Sequence, residues 1–226
     1  MTILIVHYNT PALTKAAVAS IRKTTPGARV IIFDNSDRNP YTGNGVDIID
    51  NTRGQLVDWS SWLQRFSDRR PTTNNHGSAK HCYSVDYCMR TLKEPFVLLD
   101  SDVLVKRDLW EIWNENCIFV GEIDNSSNHF INIPRVLPYC CFINTTMCLL
   151  QGVSYFHPHY CWKLTKENPA RFYDTGAWFL RQCCEKWLWD KMRTIHYEDF
   201  VEHLGLGSYG SKSVEEWLDA HRELWT

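Results

Sequence analysis

The order strand, helix, strand at the start of the chain restricts its fold more than any other feature. "TILIVH", residues 2–7, has an unbroken apolar centre, Ile3 to Val6, and reads as a buried strand. Thr10 and Pro11 follow as an N-cap and a first-turn proline, and "ALTKAAVASIRKT" carries apolar residues at helical period. "ARVIIFDNS" is the next strand, broken by Asp34, Asn35 and Ser36, and "VDIID" is a third. A strand that returns beside its predecessor through a helix crosses over right-handed and pairs parallel. The expected class is therefore α/β, with a mostly parallel central sheet flanked by helices and a smaller, less regular region after it.

A polar region from Asn51 to Gly77 comes next, with "RRPTTNNHG" as its most loop-like part; "SAKHCYSVDYCMRTL" is then a helix leading into a fourth strand, "PFVLL". The strand continues as "FVLLDSDVLV", residues 96–105, which puts Asp100 and Asp102 where a central parallel strand ends. Ligands of open α/β sheets bind at that end. In extended backbone, residues two apart point the same way. Two carboxylates so placed repel unless a cation lies between them or water screens them. A hard divalent ion, Mn2+ or Mg2+, suits them, with substrate phosphate oxygens and water completing its shell. Helix capping, the alternative role, is already served by Asp108 beside the helix "LWEIWNEN".

The second half holds strands in "CIFVGEI" and "VLPYCCFIN", helices in "TTMCLLQG" and "TGAWFLRQCCEKW", and a short strand entering a glycine-rich loop in "DFVEHLGLGSYGS". Ser213 and Glu216 form a capping box that opens a closing amphipathic helix. The Trp residues of "WEIW", "EKWLWDKM" and "EEWLDAHRELW" stand at helical spacings, which predicts core packing. At 226 residues one domain is expected. A net charge of -2 offers no basic field for nucleic acid. The N-terminal run is too short and uncharged for a leader and reads as a strand. Nine cysteines, an odd number without paired-knuckle spacing, fit a reduced, cytosolic protein. "HPHYC" sets His157, His159 and Cys161 at a spacing that could offer three zinc ligands or be an aromatic-rich loop.

The first strand ends in "HYNTP", so the Gly-x-Gly-x-x-Gly dinucleotide turn is absent. Four segments instead resemble, in order, the GT-A fold glycosyltransferases, close to the family 2 group of inverting nucleotide-sugar transferases: "ILIVHYNTPALTKAAVASI", "VIIFDNS", "NNHGSAKHCYSVDYCM" and "FVLLDSDVLV". The resemblance implies a nucleotide-sugar-binding half in residues 1–105 and an acceptor-binding half in 106–226, with the C-terminal loop and helix. It places His7, Tyr8 and Asn9 near the nucleobase, the Tyr8 ring against it, and sets Asp34, with Asn35, at the base or ribose. Gly77 would border the nucleotide and donor sugar, and Lys80 would contact the diphosphate. Asp100 and Ser101 would face the ribose or sugar, while Asp102 would hold the metal with His203 as a further ligand. Asp174 would be the general base, with Glu198 and Asp199 as alternatives. Asp34 also reads as an Asx-turn residue and Asp174 as the N-cap of the helix after it.

The implied reaction moves a sugar from a nucleoside diphosphate, UDP favoured, to a glycan or lipid-linked glycan, with inversion and with Mn2+ or Mg2+. The glycine-rich loop after His203 would close over the diphosphate. A lipid-linked acceptor would bring a cytoplasmic enzyme to the inner face of the membrane. Three other readings stand: a haloacid dehalogenase-like phosphatase with Asp100 as nucleophile and Asp102 as acid, a nucleotidyltransferase, and a non-catalytic carbohydrate-binding protein.

Overall fold

The computed structural model of the chain describes residues 1–56, 73–125, 134–157, 174–205 and 213–226. Its first unit is β1 (Thr2–His7), α1 (Pro11–Thr24), β2 (Arg29–Asp34) and β3 (Asp47–Asp50). Helix α2 (Thr73–Leu92) then leads into β4 (Phe96–Asp100), which is followed after a turn by β5 (Val103–Val105). Short strands β6 (Phe119–Gly121), β7 (Ile123–Asp124), β8 (Arg135–Val136) and β9 (Cys140–Ile143) come next. Helices α3 (Thr145–Gln151) and α4 (Ala177–Glu185), strands β10 (Met192–Thr194) and β11 (Val201–His203), and helices α5 (Val214–Ala220) and α6 (Arg222–Trp225) complete the described chain.

Seven strands form one sheet in the order β10-β6-β9-β4-β1-β2-β3. All neighbouring pairs are parallel except those of β9, which runs antiparallel to both β4 and β6. The architecture is thus the expected mixed α/β sheet. Alternate residues of each central strand go to opposite faces, and both faces are covered. Leu4, Ile31, Phe33, Phe96 and Leu98 pack on the side of α2, whereas Ile3, Ile5, Ile32, Val97 and Leu99 pack on the side of α1. Two-sided burial explains why these strands read as continuous apolar runs. Strands β5 and β11 form a separate antiparallel ribbon, covered by α1 and α5 through Leu13, Ala16, Leu104, Leu204 and Trp217.

Four local readings differ from the sequence expectation. Helix α2 starts at Thr73 and takes in the Asn-rich segment read as loop; the packing of Ala79, Cys82, Val85 and Cys88 along one face overrides weak local propensity. "LWEIWNEN" shrinks to a 3-10 turn, Leu109–Ile112, because its two buried residues are three apart and suit the tighter period. The last helix is split at His221, whose Nδ1 bonds the Trp217 carbonyl at 2.8 Å and ends the first segment. Trp187 and Trp189 are 84% and 50% exposed: α4 stops at Glu185 and Trp187 takes a left-handed conformation, φ 57°, so the helical spacing of "EKWLWDKM" never forms a helix face. Trp217, at 7%, does pack as expected.

The eight described cysteines are free thiols, and burial pushes those of Cys140 and Cys183 up to about 12. Cys161 and His159 lie outside the described residues, as does the glycine-rich loop beyond Gly205; the His157 ring packs 4.6 Å from that of Trp178.

Candidate active site

The site grows from the end of β4, whose neighbours are β1 and β9. After Asp100 the chain turns through Ser101 and Asp102 and passes from the large sheet into the β5–β11 ribbon. Asp100 and Asp102 therefore do not share one extended strand, and the same-side argument from spacing does not apply. They converge through the turn, and the ribbon register brings in a third group: His203 pairs opposite Val103. One candidate ligand atom from each of Asp100, Asp102 and His203 lies within 4.8 Å of the others. Two carboxylates and an imidazole at that spacing fit a single divalent cation, with room for water or phosphate oxygens in its shell.

Each member is held from behind. His203 Nε2 is 3.4 Å from Asp102 Oδ1, and its ring stacks on Tyr139 at 4.0 Å. Burial alone lowers the His203 proton affinity, but pairing with Asp102 overrides this and the net shift is upward. The Leu204 amide donates to the Asp102 carbonyl at 3.0 Å, fixing the turn to β11. Ser101 Oγ meets Thr10 Oγ1 at 3.2 Å, which ties the turn to the start of α1. Thr10 makes no side-chain cap of α1. On the inner side, His81 of α2 places Nε2 3.1 Å from Asp100 Oδ1. Burial opposes its charge, yet Asp100 more than compensates and raises the His81 pKa to about 10.

The predicted nucleotide side divides in two. Tyr8 is 43% exposed, with Lys80 Nζ 4.9 Å from its ring centre, so an aromatic face and a cation stand together near the turn. Burial lowers the Lys80 proton affinity. Gly77 is exposed one turn before Lys80 on α2. His7, Asp34 and Asn35, by contrast, are interior. His7 bonds Thr14 Oγ1 at 2.8 Å and the Asn39 carbonyl at 3.2 Å. Asp34, 1% exposed, accepts from the amides of Ser36 at 2.8 Å and Tyr41 at 2.7 Å. That is the Asx-turn role, and it occupies both carboxylate oxygens of Asp34 with backbone amides. Asn35 donates to Ser84 Oγ and accepts from Asn51 Nδ2. Asn9, at φ 57°, spends its side-chain oxygen on the amides of Arg38 and Asn39 and its amide on Asp37. His7, Asn9 and Asp34 thus secure the loop after β2, and Asn35 ties it to α2 and to Asn51.

On the acceptor side Asp174 is tied down. Arg135 Nη1 pairs with its Oδ2, while Ser78 Oγ and the Thr175 amide donate to its Oδ1 at 2.6 and 2.8 Å. The cap of α4 is Gly176, at φ 83°, and not Asp174. A Cβ on Gly176 would stand 2.1 Å from the Val136 carbonyl oxygen, so only glycine lets β8 approach α4 this closely. Glu198 and Asp199 are exposed on the 3-10 turn Tyr197–Asp199 that leads into β11, with the Tyr197 hydroxyl 3.4 Å from Glu198 Oε1. His81, Arg135 and Tyr139 were not foreseen. His81 had a signal, one turn beyond the "NHG" segment on the same helix; Arg135 and Tyr139 had none beyond lying beside an apolar strand.

No protein-family model matches the chain, and no curated protein matches it. Solved structures do. The galactosyltransferase LgtC, in complex with donor and acceptor sugar analogs, aligns with a TM-score of 0.49 at 13% identity over 87% of this chain and 74% of that one. Mouse xyloside xylosyltransferase 1 aligns at 0.48 and 10% identity over 87% and 86%. Glucosyl-3-phosphoglycerate synthase from Mycobacterium tuberculosis aligns at 0.47 and 12% identity over 99% and 76%. Among the described residues no helix is long and apolar enough to cross a membrane.

Proposed function

We propose that this protein is a GT-A type, metal-dependent glycosyltransferase that moves a sugar from a nucleoside-diphosphate sugar to an acceptor hydroxyl. The observation that carries the reading is the convergence of Asp100, Asp102 and His203 at the carboxyl end of the central parallel strand. Residues 1–105 form the donor half in this reading, and 106–226 the acceptor half. Tyr8 offers the nucleobase a ring, and Lys80 beside it offers the diphosphate a cation. Asp102 and His203 would hold Mn2+ or Mg2+, and Asp100, at the same end of β4, would share the ion through one carboxylate oxygen while orienting the donor. When bound, the ion offsets charge that develops on the departing diphosphate.

Transfer with inversion needs a carboxylate that accepts the acceptor proton across the cleft. Asp174 would have to leave Arg135 to do so, whereas Glu198 and Asp199 are exposed beside the strand that carries His203. These two are the better candidates. UDP is the favoured donor nucleotide, and a glycan, free or lipid-linked, is the acceptor class. The test is a panel of nucleoside-diphosphate sugars assayed for nucleotide release with Mn2+, Mg2+ or chelator. Metal-dependent release from at least one sugar donor, lost in Asp102→Asn, is expected. Phosphate release from simple esters, or pyrophosphate release from nucleoside triphosphates, would replace the reading with a phosphatase or a nucleotidyltransferase.

A further inference from the structure

We infer that His81 is a positioning residue for the cation site: from inside the fold it holds Asp100 Oδ1 and so turns the other carboxylate oxygen toward Asp102 and His203. The inference rests on the cation reading above and adds to it a residue that does not itself touch the ion. His81 sits on α2, between Ala79 and Cys82, whose side chains pack into the core. Its Nε2 lies 3.1 Å from Asp100 Oδ1. Both ring nitrogens are sealed from solvent, and neither makes a well-aligned hydrogen bond. Such a ring is expensive to bury, since each shielded polar atom forfeits its water contacts without full recompense. Leu or Phe would pack there at lower cost. Among the described residues its one ion-pair partner is Asp100, whose side chain is 21% exposed and belongs to the candidate cation site.

A second sealed polar atom marks the same place. The Tyr155 hydroxyl is buried without a partner, and Asp100 and Arg135 are among the charges that act on it. Tyr155 is fixed to α2 by its amide, which donates to Asp86 Oδ1 at 2.8 Å. Two polar atoms without aligned partners, on His81 and Tyr155, thus lie in the interior near Asp100. Groups that orient a ligating carboxylate typically change metal affinity ten- to a hundredfold when removed.

The test compares His81→Phe and His81→Gln in the full chain, reading Mn2+ affinity from the free-ion paramagnetic resonance signal and metal-free melting temperature separately. Gln keeps a donor at about the distance of Nε2, and Phe keeps the ring volume alone. The expected result is a Mn2+ dissociation constant raised at least tenfold in His81→Phe and largely restored in His81→Gln, while the metal-free melting temperature of the Phe variant is unchanged or higher. A purely structural histidine would give the reverse, with lower melting temperatures and unaltered Mn2+ affinity, and that result would overturn the assignment. Equal weakening in both variants would also overturn it, because a donor to Asp100 would then not matter. Failure of the unmodified protein to bind Mn2+ would remove the cation reading itself, and this assignment with it.

Discussion

Adding a divalent cation should stabilise the protein, and the geometry sets the scale of the effect. At the full 4.8 Å that bounds the ligand atoms, two carboxylates in a partly buried site repel by about 3.5 kcal/mol at an effective dielectric near 20. The neighbouring histidines offset part of this, and a cation reverses its sign. An ion present at about one hundred times its dissociation constant adds about 2.7 kcal/mol to the unfolding free energy. For a chain of 226 residues, that corresponds to a rise of roughly 5–10 °C in melting temperature. Thermal unfolding with Mn2+, Mg2+ and chelator measures it directly. Asp102→Asn should abolish the rise. Its metal-free melting temperature should move little, because relief of the repulsion with Asp100 and loss of the His203 contact at 3.4 Å act in opposite directions. An unmodified protein that melts at the same temperature with and without Mn2+, or an Asn variant that keeps the full rise, would refute the reasoning.

The remaining predictions concern what holds the site in place. Asp174→Asn should cost about 2–4 kcal/mol in urea unfolding, because it leaves Arg135, 14% exposed, with one acidic partner in place of two; full stability with loss of sugar transfer would instead make Asp174 the catalytic base. Gly176→Ala should cost about 3 kcal/mol or more, from the left-handed backbone and the 2.1 Å approach to Val136, and a neutral effect by the same measurement would contradict that contact. Burial lowers the His7 pKa below 6.5, so the folded state binds fewer protons than the unfolded chain in acid. The stability this histidine allows is therefore present above pH 6.5 and declines by about 1.4 kcal/mol per pH unit as pH falls through the window down to its folded value. Urea unfolding from pH 7.5 to 5 should show a shallower decline in His7→Gln than in the unmodified protein, and identical slopes would count against the buried neutral ring.

The fold was legible wherever burial is two-sided. β1, β2 and β4 are apolar at every interior position because both faces of the sheet are covered, and such runs cannot be mistaken for half-exposed strands. Legibility fails where one tertiary contact decides the outcome. No local signal stops α4 before Trp187, splits the last helix at His221, or extends α2 back to Thr73. The candidate cation site shows the same limit. Asp100 and Asp102 could be placed from the strand that precedes them, but His203 reaches them only through the pairing of β11 with β5, in which His203 lies opposite Val103. Sequence spacing carries no information about a pairing between segments so far apart; the expectation for His203 came from family resemblance.

The strand ends that carry Asn9 and Asp34 differ for a physical reason, and it supplies a criterion. Where a strand ends, the next backbone amides lose their ladder partners and must find acceptors nearby. Asp34 and Asn9 supply them, to Ser36 and Tyr41 in one case and to Arg38 and Asn39 in the other. A polar residue at a strand end thus serves its own loop first, and only acceptor capacity left over can serve a ligand. Asp100 and Asp102 stand at an equivalent strand end, yet among the described residues no backbone amide donates to either carboxylate. Their turn is secured instead by the Asp102 carbonyl and the Ser101 hydroxyl. Two carboxylates left without loop duties, partly buried and braced by His81 and His203, keep acceptor capacity for something brought in from outside, and among the described residues this is the strand end whose groups fit a cation.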